Sequence, residues 1–410
     1  MKKHLPIMVT MLMLALFSNC KKEQKNNSIY PVVSTDEVTE IGIHSAMCSG
    51  TVTEHGETFI NVRGICWGIN HNPTVSDDFI NSDFYFAKDS DDGLGSYNVK
   101  IPGLAANTQY YARAYATNSN GTAYGNEVSF TTQSYGSIVP EGGVNALFSI
   151  NGNGGKVWFS KGNLQYQAST GTWRFAENQW DICDANTSEH YTTDYAEGSS
   201  AWIDLFGWGT SGYNHGAVCY QPWENSTNSM NYNVYGQNNS NLYDYSGKAD
   251  WGYNAISNGG NVENFGWRTL TKDEWNYLLF ERPNYGVLFG QGQVNGTNGL
   301  ILLPDDWMSP SGISFKSGVS QWENCYTMKQ WSKMEAAGAV FLPASGMRNG
   351  NLIYHVMGSC DYWTSTCYQG SSSSSQYSSY GFYFGYETII ANNITEWYYG
   401  HSVRLVKPLE

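Results

Sequence analysis

Between Tyr30 and about Gln133 the chain is a succession of short runs that alternate in polarity, and that period of two limits its fold more than any other feature. In an extended strand successive side chains point to opposite faces, so such alternation marks strands with one buried face. Ala46-Met47-Cys48-Ser49-Gly50-Thr51-Val52 and Asn61-Val62-Arg63-Gly64-Ile65-Cys66-Trp67-Gly68 are examples. Turn-forming residues separate the runs at strand-and-turn spacing, which predicts an antiparallel β-sandwich over 30–133.

The chain changes character after a Ser/Gly/Pro linker at 134–142. From Val144 to Lys407 it is rich in Trp, Tyr, Asn and Gly, with no tandem repeat. Only 14% of all residues are charged, against roughly 25% in soluble domains generally. Aromatics make up 15% of the chain, and their large buried areas pin a core, so the second unit, 143–408, is folded and not disordered. One helix is expected near its middle. Thr271 is an N-cap with Glu274 three residues on, the pattern of a capping box. Trp275, Leu278 and Leu279 follow at helical spacing, and Pro283 ends the helix. Ser371 to Ser375 reads as an exposed loop. The fold class expected is mainly β, with an α+β C-terminal part.

The N-terminus carries an export signature. Met1-Lys2-Lys3-His4 is basic, Leu5 to Phe17 is an apolar run too short to span a bilayer, and Ser18-Asn19-Cys20 follows. Residues 1–19 read as a signal peptide and 20–29 as a polar tether. A cysteine at that boundary resembles a lipoprotein lipobox. The resemblance implies lipidation of Cys20, and several acyl chains give durable attachment because each buried methylene contributes ~0.8 kcal/mol. Asn19 departs from the usual Gly, Ala or Ser before the cysteine, a departure that Bacteroidetes lipoproteins often tolerate. The expected place is the outer membrane, with the body exposed at the cell surface. Lys21-Lys22-Glu23 lacks the acidic run often linked to surface export. The formal net charge is −14. Nucleic acid is excluded as a partner, since phosphate contacts need a basic surface.

Two further resemblances follow from motifs. Ile101-Pro102-Gly103-Leu104, Asn107 to Asn118, Gly121-Thr122-Ala123-Tyr124-Gly125 and Val128-Ser129-Phe130-Thr131-Thr132 resemble a fibronectin type III domain, as does Arg63-Gly64-Ile65-Cys66-Trp67. Such modules are mostly spacers. In the second unit, Val157-Trp158-Phe159-Ser160-Lys161-Gly162, Leu205-Phe206-Gly207-Trp208-Gly209, Gly266-Trp267-Arg268-Thr269-Leu270, Val340-Phe341-Leu342-Pro343-Ala344 and Tyr362-Trp363-Thr364-Ser365-Thr366 together resemble the Fibrobacter succinogenes major paralogous domain. That resemblance implies a C-type-lectin-like fold of the formylglycine-generating-enzyme group, but little mechanism.

Motifs for chemistry are weak. Seven cysteines remain after Cys20, an odd number, without a Cys-x-x-Cys pair. Cys360 and Cys367 are the candidates for a loop disulfide or for the copper pair of the oxidase members, though their spacing is wider than that motif expects. Asp89-Ser90-Asp91-Asp92-Gly93 has Lys100 where an EF-hand needs its chelating Glu. Gly152 to Lys156 lacks the Ser or Thr of a phosphate loop. Arg282-Pro283-Asn284 only partly resembles a calcium-lectin loop. Asp305 and Asp306 are adjacent, poor geometry for a glycosidase pair. Asp181 with Asp184, and Glu189 with His190, read as solvated loop charges. No catalytic residue, metal or cofactor is expected.

What remains is the character of the loops. Tyr, Trp, Ser, Gly and Asn are favoured in binding loops, because large rigid rings give contact area at low entropy cost. The candidate ligand-binding residues are Trp208, Tyr213, Tyr220, Trp223, Tyr362, Trp363 and Tyr368. The segments 181–204, 211–250 and 364–380 are the long loops of the second unit. The function expected is a lipid-anchored binding or adhesion module for a glycan or a host or cell-surface protein, not an enzyme. The alternatives are a structural subunit such as a fimbria-associated protein, and a glycan hydrolase or cysteine-dependent oxidase.

Overall fold

The computed structural model describes residues 28–75, 85–89, 93–134, 139–232, 240–242, 246–260, 266–318, 321–368, 370 and 377–409. The signal, Cys20, most of the tether, Ser90 to Asp92 and Ser371 to Ser375 lie outside the described residues. Among the described residues no helix is long and apolar enough to cross a membrane.

The first unit is a two-sheet sandwich. Strands β1 (Val32–Thr39), β2 (Ser45–Glu54), β3 (Val62–Gly68), β4 (Tyr85–Lys88), β5 (Gly95–Pro102), β6 (Gln109–Asn118), β7 (Gly121–Tyr124) and β8 (Val128–Thr131) follow in chain order. One sheet runs β1-β2-β5 and the other β4-β3-β6, with β7 and β8 both pairing along β6. Every pairing within the two sheets is antiparallel. Strand β2 alternates as its sequence predicts, with Ala46, Cys48, Gly50 and Val52 buried. The inner faces meet over Cys48, Val52, Ile65, Trp67, Val99, Ile101, Tyr110, Ala112 and Phe130. This order and Greek-key connectivity make residues 32–131 a fibronectin type III-like sandwich. Asp89 of the acidic loop pairs with Arg63 at 2.8 Å.

The second unit closes on its own ends. Lys156–Phe159 pairs with Phe148–Ser149 on one side and with the last strand, Leu405–Pro408, on the other. A hairpin of Phe289–Val294 and Thr297–Leu302 carries Val340–Pro343 and, in parallel, Asn324–Tyr326. A three-strand meander of Ser359–Tyr368, Ser378–Gly385 and Thr388–Glu396 follows, and two smaller three-strand sheets, one around Leu164–Gln167 and one around Leu352–Tyr354, belong to the same unit. The linker ends inside this unit, where the Lys161 N–H donates to the Gly142 carbonyl at 2.7 Å.

The expected helix forms with its capping box. Helix α1 (Lys272–Asn276) has Thr271 accepting from the Glu274 N–H while Glu274 accepts from the Thr271 N–H. It then widens into a π-turn over Tyr277–Glu281, and the Arg282 N–H donates to the Tyr277 carbonyl. The wider turn keeps Leu278 and Leu279 fully buried and delivers Arg282 to Asp305 at 3.1 Å. A second helix, α2 (Met328–Ala336), has its own capping box from Thr327 and Gln330. Its sequence gives little sign of it, because only Trp331 and Met334 anchor its apolar face.

The sandwich is docked on the second unit. Ser311 Oγ donates to the Phe86 carbonyl at 2.9 Å, and Asn145 Nδ2 to the Ala106 carbonyl at 2.8 Å. His44 Nε2 lies 3.4 Å from Asp306. Gly103 has φ of 68° and meets Pro310 so closely that an added Cβ would lie 2.7 Å from the proline Cα.

Candidate functional site

Three of the seven candidate aromatics belong to the core, which corrects the expectation that they face a ligand. Trp208 is 1% exposed, stacks on Trp397 at 5.4 Å and donates its indole N–H to the Thr364 carbonyl. Trp363 donates to the Phe206 carbonyl at 2.6 Å, and Tyr362 to the Pro343 carbonyl at 3.1 Å. The physical reason is that this unit is poor in Leu and Ile, so indoles fill its interior and find partners for their N–H groups. Tyr368 is partly buried and packs edge-on against Tyr380, away from the others.

Of the remaining candidates one, Tyr213, opens on a cleft, and Tyr220 and Trp223 stand close to its wall. Tyr213 lines it, together with Tyr166, Trp173, Gln221, Lys248, Tyr253 and Asn254; its volume is about 400 Å³. Trp223 stands behind Tyr166, stacked at 5.9 Å. Tyr220 ties the rim together, because its carbonyl accepts from the Gly212 N–H at 2.8 Å. The Lys248 ammonium lies between two rings, 5.3 Å from the centre of Tyr213 and 5.6 Å from that of Tyr253.

Buried polar residues hold this cleft in shape. Asp250 caps the short 3₁₀ turn Trp251–Tyr253 by accepting from the Gly252 N–H, and it also accepts from the Thr269 N–H. Burial raises its carboxyl above the ordinary range. Trp251 is fully buried and donates to the Thr210 carbonyl, so Tyr253 and Asn254 project from an anchored base. Gly252 is required there, since a Cβ would collide with the Trp267 carbonyl. On the opposite wall Arg348 is wholly buried. It donates to the carbonyls of Glu224, Leu205 and Gly350 and lies 4.1 Å over the Tyr195 ring. It thereby fastens the turn that carries Gln221 and Pro222. Ser211 Oγ joins the two walls by donating to the Lys248 carbonyl at 2.7 Å.

Lys248, Gln221, Tyr253 and Asn254 were not singled out from the sequence. A signal for Lys248 was present, since it is the only Lys or Arg between Arg174 and Arg268.

The other constellations are structural in these surroundings. Cys360 and Cys367 are free and buried, and burial pushes their thiols up to about 12 and about 11. They lie on one continuous strand, Ser359–Tyr368, whose extended rise separates them. Asp305 accepts from Ser149 and pairs with Arg282, while Asp306 turns toward His44. Asp184 pairs with His190 at 2.7 Å, and the Ser188 carbonyl together with that carboxylate raises the imidazole above its ordinary value. A second cleft of about 510 Å³ is lined by Arg174, Asp181, Cys183, Asp194 and Trp202 among others. Behind it Asp204 is buried, raised to about 6 by desolvation, and accepts from the Cys183 N–H at 3.0 Å. Among the described residues no group of three or more His, Cys, Asp or Glu is placed to hold a metal ion.

No protein-family model matches this chain, and no curated protein does. Among solved structures, the chain is similar to the sensor domain of an anti-sigma factor of Pseudobacteroides cellulosolvens, at 16% identity over 25% of this chain and 94% of that one, with a TM-score of 0.18. It is similar to a fibronectin type III domain derived from a human protein at 12% identity, over 26% of this chain and 77% of that one, with a TM-score of 0.18. The domain of human fibronectin type III domain containing protein 3 matches at 20% identity, over 27% and 92%, with a TM-score of 0.16. The fibronectin-like character of residues 32–131 rests on its own strand order.

Proposed function

We propose that this is a lipid-anchored protein of a Bacteroidetes outer membrane, held by Cys20 and presenting a C-type-lectin-like binding unit at the cell surface. The observation that carries the binding reading is the cleft of Tyr213, Tyr253, Gln221 and Lys248. Its size lies in the range of small-ligand sites, ~300–1,000 Å³. Rings, amides and one ammonium are the groups that grip a sugar, the rings on its apolar face and the amides on its hydroxyls. The C-type-lectin-like assignment for 143–408 is drawn from the motifs of the sequence and from the pairing of the unit's two ends. The sandwich acts as a docked pedestal between anchor and binding unit, not as a free-swinging spacer.

A glycan and matrix-protein array probed with the mature chain tests the binding reading. Capture lost in Tyr213→Ala and Tyr253→Ala is expected, and capture indifferent to both substitutions refutes it. For the anchor, palmitate labelling should disappear in Cys20→Ala, and unchanged membrane retention of that variant counts against lipidation. Protease shaving of intact cells decides the exposed side.

A second reading, a structural subunit of a surface assembly, is favoured by one observation. Strand Thr388–Glu396 ends its sheet, with Ile390 and Ile394 exposed at 38% and 47%. Unpaired strand edges recruit partner strands. A stable oligomer in light scattering that Ile390→Lys dissociates would put this reading first.

A further inference from the structure

The charge arrangement of the Tyr213 cleft names a ligand class, an inference that rests on the binding reading above. The chain carries 36 Asp and Glu against 22 Lys and Arg, yet no Asp or Glu is among the described residues that line this cleft. Its one charged lining group is Lys248, the sole cation in the long stretch between Arg174 and Arg268. Eleven acidic residues occupy that same stretch. The ammonium rests against the rings of Tyr213 and Tyr253, and among the described residues it forms no ion pair with a carboxylate. Ring faces attract an ammonium but leave its N–H bonds to be satisfied elsewhere. The larger cleft at Arg174 differs, since Asp181 and Asp194 stand beside that guanidinium.

A cation held by two rings, with amides nearby and no acid among the described lining residues, suits an anion attached to a hydroxyl-rich body. We propose that the cleft takes an acidic saccharide, a uronic or sialic acid unit, whose carboxylate pairs with Lys248 while the sugar lies against Tyr213 and Tyr253. Gln221 and Asn254 supply amide groups for the hydroxyls. The Gln221 side-chain amide has no hydrogen-bond partner among the contacts of the described residues, and the Asn254 amide nitrogen is already committed to the Ser211 and Trp251 carbonyls. Asn254 therefore offers its oxygen as an acceptor.

The test uses the mature chain and two matched pairs: trigalacturonate and 3′-sialyllactose, each against its methyl ester, titrated by calorimetry. Esterification removes the charge and keeps the sugar. At least one acid is expected to bind about ten- to hundredfold more tightly than its ester, the margin of a charge-assisted hydrogen bond. Lys248→Met should erase that margin with the near-ultraviolet circular dichroism unchanged, and Lys248→Arg should restore most of it. Equal affinity for acid and ester, or a margin that survives Lys248→Met, overturns the inference. If neither acid binds while neutral glycans are captured, the ligand class is wrong and the binding reading stands. If no glycan of either kind binds while a matrix protein is captured, the ligand class is wrong and the binding reading stands; if nothing on the array is captured, both fall.

Discussion

Replacing Trp208 with Phe separates a core role from a ligand-facing one. Trp208 is 1% exposed, stacked on Trp397 with planes 14° apart, and its indole N–H donates to the Thr364 carbonyl at 3.0 Å. Phenylalanine keeps an aromatic surface but removes that donor, and a buried carbonyl left without its partner costs ~1–3 kcal/mol. The smaller ring also gives up apolar contact worth ~1 kcal/mol at the usual rate per buried area. The expected loss is therefore about 3 kcal/mol. For a domain of this size ~1 kcal/mol moves the melting midpoint by ~2–4 °C, so a fall of roughly 6–12 °C follows. Near-ultraviolet circular dichroism during a thermal scan is the assay, because every tryptophan except Trp67 lies beyond residue 143 and reports on this unit. Tyr213→Ala is the control. Tyr213 is 36% exposed, and a surface substitution of this kind moves stability by within about 0.5 kcal/mol. Should Trp208→Phe leave the midpoint where it was and abolish ligand capture, the assignment of Trp208 to the core would be refuted.

Burial raises the Asp204 and Asp361 carboxyls to about 6 from an ordinary value near 3.8. Between about pH 4 and 6 the folded chain then holds protons that the unfolded chain has released, so this contribution to stability falls as pH rises through the window and levels off above it. Asp204→Asn keeps an acceptor for the Cys183 N–H and should flatten the slope by on the order of 2 kcal/mol, read from urea midpoints at pH 4.5 and 7; an unchanged slope contradicts the assignment. Thr271→Ala removes the N-cap of α1 and is expected to lower stability by ~1 kcal/mol, with Thr271→Ser recovering most of it. Gly103→Val cannot keep φ of 68° without strain and pushes on Pro310. Small-angle scattering should therefore detect a longer particle with unchanged far-ultraviolet circular dichroism, whereas an unaltered profile argues against a tight dock.

The sandwich was legible because its information is local. The alternation in β2 and β6 needs only the period of two, and Gly103 and Gly121 mark turns where positive φ is required. Helix α1 was legible for the same reason, through Thr271 and Glu274. The second unit was less so. Its indoles carry the same side chain whether they fill the core, as Trp251 and Trp363 do, or stand partly exposed, as Trp223 does. Only long-range partners tell these apart: the Phe206 carbonyl for Trp363, the Thr210 carbonyl for Trp251. Arg348 was illegible too, since two carbonyls distant in sequence, those of Leu205 and Glu224, hold it along with that of Gly350. The cleft assembles from residues 166 to 254, and no motif spans them.

The electrostatics of such a cleft act in opposite directions at two distances. A net charge of −14 repels an anionic sugar on approach, whereas the Lys248 ammonium attracts it only at contact. Salt separates the two, because the Debye length is ~10 Å at 0.1 M and charges farther apart than that are largely screened. Added salt removes the distant repulsion first and weakens the contact pair less, since that pair forms within a few ångströms and partly out of water. The association rate for an acidic saccharide should accordingly rise between low and physiological ionic strength, with a smaller rise in the dissociation rate. A basic binding surface gives the reverse, a steep fall in association with salt. Surface plasmon resonance at two salt concentrations distinguishes them, and association that slows with salt would mean that the anion is met by a charged face other than this cleft.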